Sequence, residues 1–234
     1  MRHAPPSERG FTLIEFMIAA AIMTAVLGGT VMLASQLQQA YTSGADDVAV
    51  EQEARFALDW ITRILRSAGS NPYSDTLGDT TPCPTAGTIV EWIVIDPNTN
   101  GASDDIRIQA DVTGAADGTP DGKLGGDVGG CTQEGEDVTI AHDPSTLTIT
   151  LQDTGTGGAA QTMTERVISG LEFIYYDSSH TVLCGDPCGD PSTINEKSVS
   201  YIKARITGRS QTRNTILAQQ KTTVFESEVR VRVR

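Results

Sequence analysis

In RGFTLIEFMIAAAIM, residues 9 to 23, a single carboxylate, Glu15, interrupts an apolar run. An ionised carboxylate at mid-bilayer costs roughly 2.5–3.5 kcal/mol, less near an end of the span, so a compensating partner is expected. Five residues earlier, Gly10 closes a short polar leader, MRHAPPSERG, at an abrupt junction with Phe11. Elsewhere the chain offers thiols and oxygen donors. Cys83, Cys131, Cys184 and Cys188 are an even set, compatible with two disulfides outside the cytoplasm. The simplest pairing is Cys184–Cys188 with Cys83–Cys131. Zinc is the rival, but Cys184 and Cys188 form a C-x3-C and the other two are isolated. Asp96, Asn98, Asn100 and Gly101 follow the D-x-N-x-N-G spacing of an EF-hand loop. The twelfth position is Arg107 rather than a bidentate Glu, so an EF-hand is not expected. A different calcium site from Asp96, Asn98, Asn100, Asp104 or Asp105 stands against an ordinary Asp/Asn/Gly turn. Asp111, Asp117, Asp121 and Asp127 add further oxygens among glycines. His3, His142 and His180 sit in no G-x-S-x-G, H-E-x-x-H or phosphate-cradling context, so no catalytic residue, and no cofactor beyond a structural Ca²⁺, is expected.

The 234 residues carry a net charge of −13, unevenly placed. From Lys197 onward the charge is +7, and the preceding 196 residues carry −20. An acidic body argues against nucleic acid as a partner, because phosphate contacts need clustered cations.

Phe11 to Leu33 is 23 residues with Glu15 its only charge. As a helix it spans about 34 Å, enough for a bilayer core. It is too long for the apolar region of a secretory signal, and Met32-Leu33-Ala34 fits a cleavage site poorly. A plain anchor explains the length but not Glu15 or the leader. Gly10-Phe11-Thr12-Leu13-Ile14-Glu15 resembles the prepilin signature of type IV pilins and type II secretion pseudopilins. The resemblance implies that a membrane peptidase cuts after Gly10 and N-methylates Phe11. Glu15 then becomes the fifth residue and faces the N-terminal amine of a neighbouring subunit. Partners implied are other major and minor pilins, prepilin peptidase, an inner-membrane assembly platform and, before assembly, the lipid bilayer. Arg2 and Arg9 precede the span, while Asp46, Asp47, Glu51 and Glu53 follow it. The positive-inside rule then puts the leader in the cytoplasm and the body in the periplasm, a single inner-membrane span, with the cell-surface pilus as destination.

Beyond the membrane, Val50, Ala54, Ala57, Ile61, Ile64 and Ala68 recur on one helix face, with Leu58 and Leu65 widening it. Gly69 to Pro72 stop the helix, and YTSGAD at 41 to 46 is a candidate bend. Alternating strands are expected at 88–96, 104–110, 145–152, 171–177, 200–208 and in the terminal FESEVRVRVR. In that last segment Phe225, Val229, Val231 and Val233 face one way, and Arg230, Arg232 and Arg234 the other. The expected fold is α+β and pilin-like: a long N-terminal helix, its first half membrane-spanning, packed on an antiparallel β-sheet body with long loops. The organisation expected is a leader at 1–10, removed; a helix at 11–68, transmembrane over 11–33; and an extracytoplasmic body at 69–234. RFALDWITRILRSAGSNPY and ISGLEFIYYD resemble minor pilins of the PilW type, and also the related J-type minor pseudopilin of type II secretion. The resemblance implies a minor pilus subunit acting in assembly initiation or at the tip. The rival class is a membrane-tethered module binding DNA, calcium or a surface. Many major pilins carry a proline in the membrane half of this helix, and its absence here is a departure that weakens any equation with a major subunit.

Overall fold

A computed structural model describes residues 11–70, 92–110, 112, 135–154, 157–165, 167–210 and 220–231. The chain divides into two compact units, Met1–Ala45 and Asp46–Arg234.

Helix α1 is Leu13–Ser67, running through Gly28-Gly29 and through YTSGAD, where a bend was expected. Its first unit is apolar, and every large apolar side chain from Phe11 to Leu37 is exposed. The hydroxyls in this stretch bond inside the helix: Thr24 to the Ala20 carbonyl at 2.7 Å, Thr30 to Leu27 at 2.9 Å and Ser35 to Met32 at 2.8 Å. Such internal satisfaction suits a medium without water. Among the described residues, α1 is the one helix long and apolar enough to cross a membrane.

From Asp46 onward α1 buries one face. Val50, Ala54, Ala57, Ile61, Thr62, Leu65 and Ala68 are buried. Leu65, not Ile64, lies at the centre of the stripe, and Ile64 is half-buried at its edge. Ile61 and Leu65 are fully buried, each worth roughly 1.5–3 kcal/mol of apolar transfer. Gly69 ends the helix with a φ of 68°, the left-handed conformation that glycine tolerates at a helix C-terminus. Its N–H donates to the Gln109 carbonyl at 3.1 Å, tying the helix end to a strand.

Among the described residues the body contains two antiparallel sheets rather than one. The first is a five-stranded meander of β1 Ile93–Ile95, β2 Asp105–Gln109, β3 Asp137–Asp143, β4 Thr148–Asp153 and β5 Gln161–Thr162. The second orders β6 Ile168–Tyr176, β7 Tyr201–Arg209 and β8 Thr222–Arg230. Strands β3 and β5 were not anticipated; β3 hides its apolar alternation in only two residues, Val138 and Ile140. In β8, Phe225, Val229 and the following Val231 turn inward while Arg230 is exposed, as the alternation requires. Val233, Arg232 and Arg234 lie outside the described residues.

Helix and sheets share one core. At β7, a Cβ on Gly208 would stand 2.7 Å from Val50 Cγ1 and 3.7 Å from the Ala54 Cβ, so glycine sets how closely the helix approaches the strand. The two sheets meet at a seam where the Phe173 N–H donates to the Ser103 carbonyl at 2.8 Å and the Ser103 hydroxyl donates to the Phe173 carbonyl. A second tie runs from His142 Nε2 to the Ile168 carbonyl, 3.0 Å apart.

Candidate functional site

Four groups of predicted residues have distinct fates in the structure. Gly10 lies outside the described residues, so the description of the N-terminal site begins at Phe11. Phe11 is 90 % exposed. Thr12 precedes α1, and Glu15 occupies its first turn. The Thr12 N–H and hydroxyl both donate to Glu15 Oε2 at 3.1 Å, and the Glu15 N–H donates to Thr12 Oγ1 at 3.4 Å. This reciprocal pattern is a capping box, in which an N-cap Thr and a Glu three residues on satisfy each other's orphan donors. The carboxylate is also favoured there by the positive end of the helix dipole. The T-x-x-E spacing is legible in the sequence, and the capping bonds themselves are what the structure adds.

The Asp/Asn loop has its own accounting. Asp96 accepts from the Asn100 and Gly101 N–H groups at 3.0 and 2.8 Å, Asn98 Oδ1 from Asn100 at 2.9 Å, and Asn100 Oδ1 from Ala102 at 2.7 Å. The side-chain oxygens of D-x-N-x-N-G therefore bond the loop's own backbone, an Asx-turn arrangement. Asp96 and Thr99 hold positive φ values of 50° and 56°. Arg107 forks onto buried Asp137, with Nε to Oδ1 at 2.6 Å and a second bond from Nη2 to Oδ2. The residue at the twelfth loop position thus serves the β2–β3 ladder. Among the described residues, no group of three or more His, Cys, Asp or Glu side chains is placed to hold a metal ion. Asp104 and Asp105 lie beyond the turn at the start of β2. Burial pushes the Asp105 carboxyl from 3.8 up to about 6; the Asn98 N–H opposes the shift, and the Asp104 and Asp96 charges add to it. Asp111, Asp117, Asp121 and Asp127 are outside the described residues.

Cys184 and Cys188 form a disulfide with Cα atoms 4.9 Å apart. Their loop is pinned to β6 and β7. The Cys188 N–H donates to Glu172 Oε1 at 2.9 Å, and Arg205 reaches Asp186 at 2.7 Å and Glu172 at 2.9 Å, with Glu226 as a third partner. Hydrogen bonding to Arg205 holds the Asp186 carboxyl below its ordinary value. Cys83 and Cys131 lie outside the described residues.

Residues 5–31 match the family described as the prokaryotic N-terminal methylation motif. No curated protein and no solved structure matches the chain. The matched segment contains the capped Thr12–Glu15 turn and most of the apolar stretch behind it. Together with the long helix packed on antiparallel sheets, it supports a type IV pilin-like or pseudopilin subunit.

Proposed function

We propose that this protein is a minor structural subunit of a type IV pilus, acting in assembly initiation or at the tip. The observation that carries the reading is the methylation motif at residues 5–31, joined to an apolar helix with no proline between Phe11 and Ser70. The two segments that resemble PilW-type minor pilins support it further. RFALDWITRILRS supplies Ala57, Ile61, Thr62 and Leu65 of the buried stripe of α1, and ISGLEFIYY forms β6.

In this reading, residues 1–10 are a cytoplasmic leader, 11–33 span the inner membrane, and the body is periplasmic until assembly. Prepilin peptidase cuts after Gly10 and methylates the new amine of Phe11. Glu15, anchored at the helix start, is placed to meet the amine of a neighbouring subunit. A paired charge in low dielectric is tolerated where a lone one is not.

N-terminal mass spectrometry from cells with active prepilin peptidase tests the processing step: N-methylated Phe11 is expected, and intact Met1 would refute it. Gly10→Val should leave the leader attached. Quantitative proteomics of sheared filaments tests the role. Low stoichiometry relative to a major pilin supports a minor subunit. Retention of the processed protein in the membrane fraction alone contradicts it.

A further inference from the structure

Strand β8 is an edge: among the described residues it pairs with β7 and with no other strand. The pairing is regular, from Tyr201 opposite Arg230 to Arg209 opposite Thr222, without the register shift found between β6 and β7. Two bonds at the ends of the ladder fix which backbone groups it uses. The Val231 N–H donates to the Ser200 carbonyl and the Ser210 N–H to the Lys221 carbonyl, both at 3.0 Å. In an antiparallel pair, hydrogen-bonding residues alternate along each strand. The odd-numbered residues from 221 to 231 therefore turn their N–H and C=O toward β7. Thr222, Val224, Glu226, Glu228 and Arg230 turn theirs away from it. These same residues are exposed, while Val229 and Val231 are buried.

A regular edge of this kind is a template for another strand, and many proteins blunt theirs with a proline, a bulge or lysines. Within Thr222–Arg230 there is no proline, no lysine and no break in register. Its charges are of both signs, and their order selects a partner.

We propose that this partner is a second copy of the chain, joined by antiparallel pairing of β8 with β8 about a two-fold axis at Val229. Bonds across the new ladder need outward-facing backbone groups, so even-numbered residues must face even-numbered ones. Centring on Val229 meets that condition and sets Glu228 of each copy opposite Arg230 of the other. Sliding the register by two residues either way brings Glu228 onto Glu228 or Arg230 onto Arg230. Val229 meets its own copy at the axis, a non-hydrogen-bonded position where side chains approach closely. The interface uses one patch twice, as two-fold association requires, and joins two three-stranded sheets into one. Backbone bonds supply the attachment and the charges select the register.

Both charged residues also have contacts within their own chain. Glu228 Oε2 lies 3.3 Å from His180 Nε2, and the Arg230 guanidinium lies 5.9 Å from the centre of the Tyr201 ring. These are side-chain contacts and use none of the backbone groups along the edge.

The test is co-capture of two differently tagged full-length copies in neutral detergent, with micelles in large excess so that copies meet by affinity. Wild-type copies should capture each other. Glu228→Arg alone, or Arg230→Glu alone, should weaken capture about tenfold or more, since like charges then face each other twice across the axis. Mixing a Glu228→Arg copy with an Arg230→Glu copy restores both opposite-charge pairs and should recover wild-type capture. Absence of wild-type capture, single variants that capture like wild type, or a mixture that fails to recover would each overturn the proposal. The second of these would place the association elsewhere, such as the apolar half of α1. Should a variant fail to fold, hydrogen exchange of the wild type decides. The Glu228 and Arg230 amides should gain protection as protein concentration rises, and exchange independent of concentration refutes self-pairing. Protection that appears only on adding purified major pilin would give the edge to that subunit, and refutes it as well.

Discussion

Glu15 carries two demands that pull on the same carboxylate. Within the chain it closes the capping box with Thr12; in an assembled filament it would face a neighbour's amine. The capping role keeps the side chain ordered at the helix start, so little rotamer entropy remains to be lost on assembly. It also separates two substitutions that otherwise look alike. Thr12→Ala removes the cap hydroxyl and should cost the helix start about 1 kcal/mol while leaving the carboxylate in place. Glu15→Ala removes both the cap and the pairing charge. Cleavage and membrane insertion should survive either change, because both depend on the junction and the apolar length. Filament incorporation, read by immunoblot of sheared fractions, should fall strongly for Glu15→Ala and mildly for Thr12→Ala. Wild-type levels of the Glu15 variant in filaments would remove the pairing role. The sequence made the spacing from Gly10 visible. It could not show which oxygen goes where at 96–105, because Asp and Asn on a glycine turn have the same spacing whether they serve a cation or their own backbone.

Elements were legible in proportion to their periodicity. The helix stripe and six of the strands, β1, β2, β4, β6, β7 and β8, follow apolar repeats that one face of a helix or sheet must bury. The division into two sheets was not legible, since pairing partners are set by tertiary register and not by alternation within a strand. Nor was the role of Gly208, which reads as a weak point in a strand until Val50 is seen against it. Gly208→Ala should therefore destabilise the body by about 1–3 kcal/mol: Val50 is β-branched and buried, with little freedom to yield. Gly170→Ala is the control, with Thr207 at an ordinary 3.7 Å and space to accept a methyl. Denaturant unfolding of the two variants should separate them, and equal stability would show that the helix can shift away from β7. The disulfide loop gives a second element-scale prediction. Cys184→Ser with Cys188→Ser removes a link that closes a very short loop, worth about 2 kcal/mol in the chain-entropy model. Asp186 and Glu172 should still hold the loop on Arg205. Arg205→Ala in that background should then cost more than in wild type, a non-additivity that a double-mutant cycle reads directly.

Across the molecule, an acidic chain ends in a basic segment carrying +7 from Lys197 onward. The structure shows where several of these cations go. Arg205 engages Glu172, Asp186 and Glu226, and Lys221 reaches Asp47 at 3.2 Å. Lys203 lies 5.2 Å from the centre of the Tyr176 ring, and Arg230 5.9 Å from that of Tyr201. Cations already engaged by their own body are poor phosphate ligands, because each contact to a nucleic acid must first break one to the protein. The remaining 196 residues carry −20, a field that opposes approach of a duplex at any distance not screened by salt, about 8 Å at physiological ionic strength. The full chain in neutral detergent should therefore bind duplex DNA no tighter than about 100 μM at physiological salt, within the non-specific range. Changing Arg230, Arg232 and Arg234 together to Ala should lower stability or filament incorporation instead. Fluorescence anisotropy with a labelled duplex checks the first expectation. Micromolar binding abolished by the triple substitution would reverse the argument, since it would mean that the basic strand serves a nucleic acid in preference to its own acidic body.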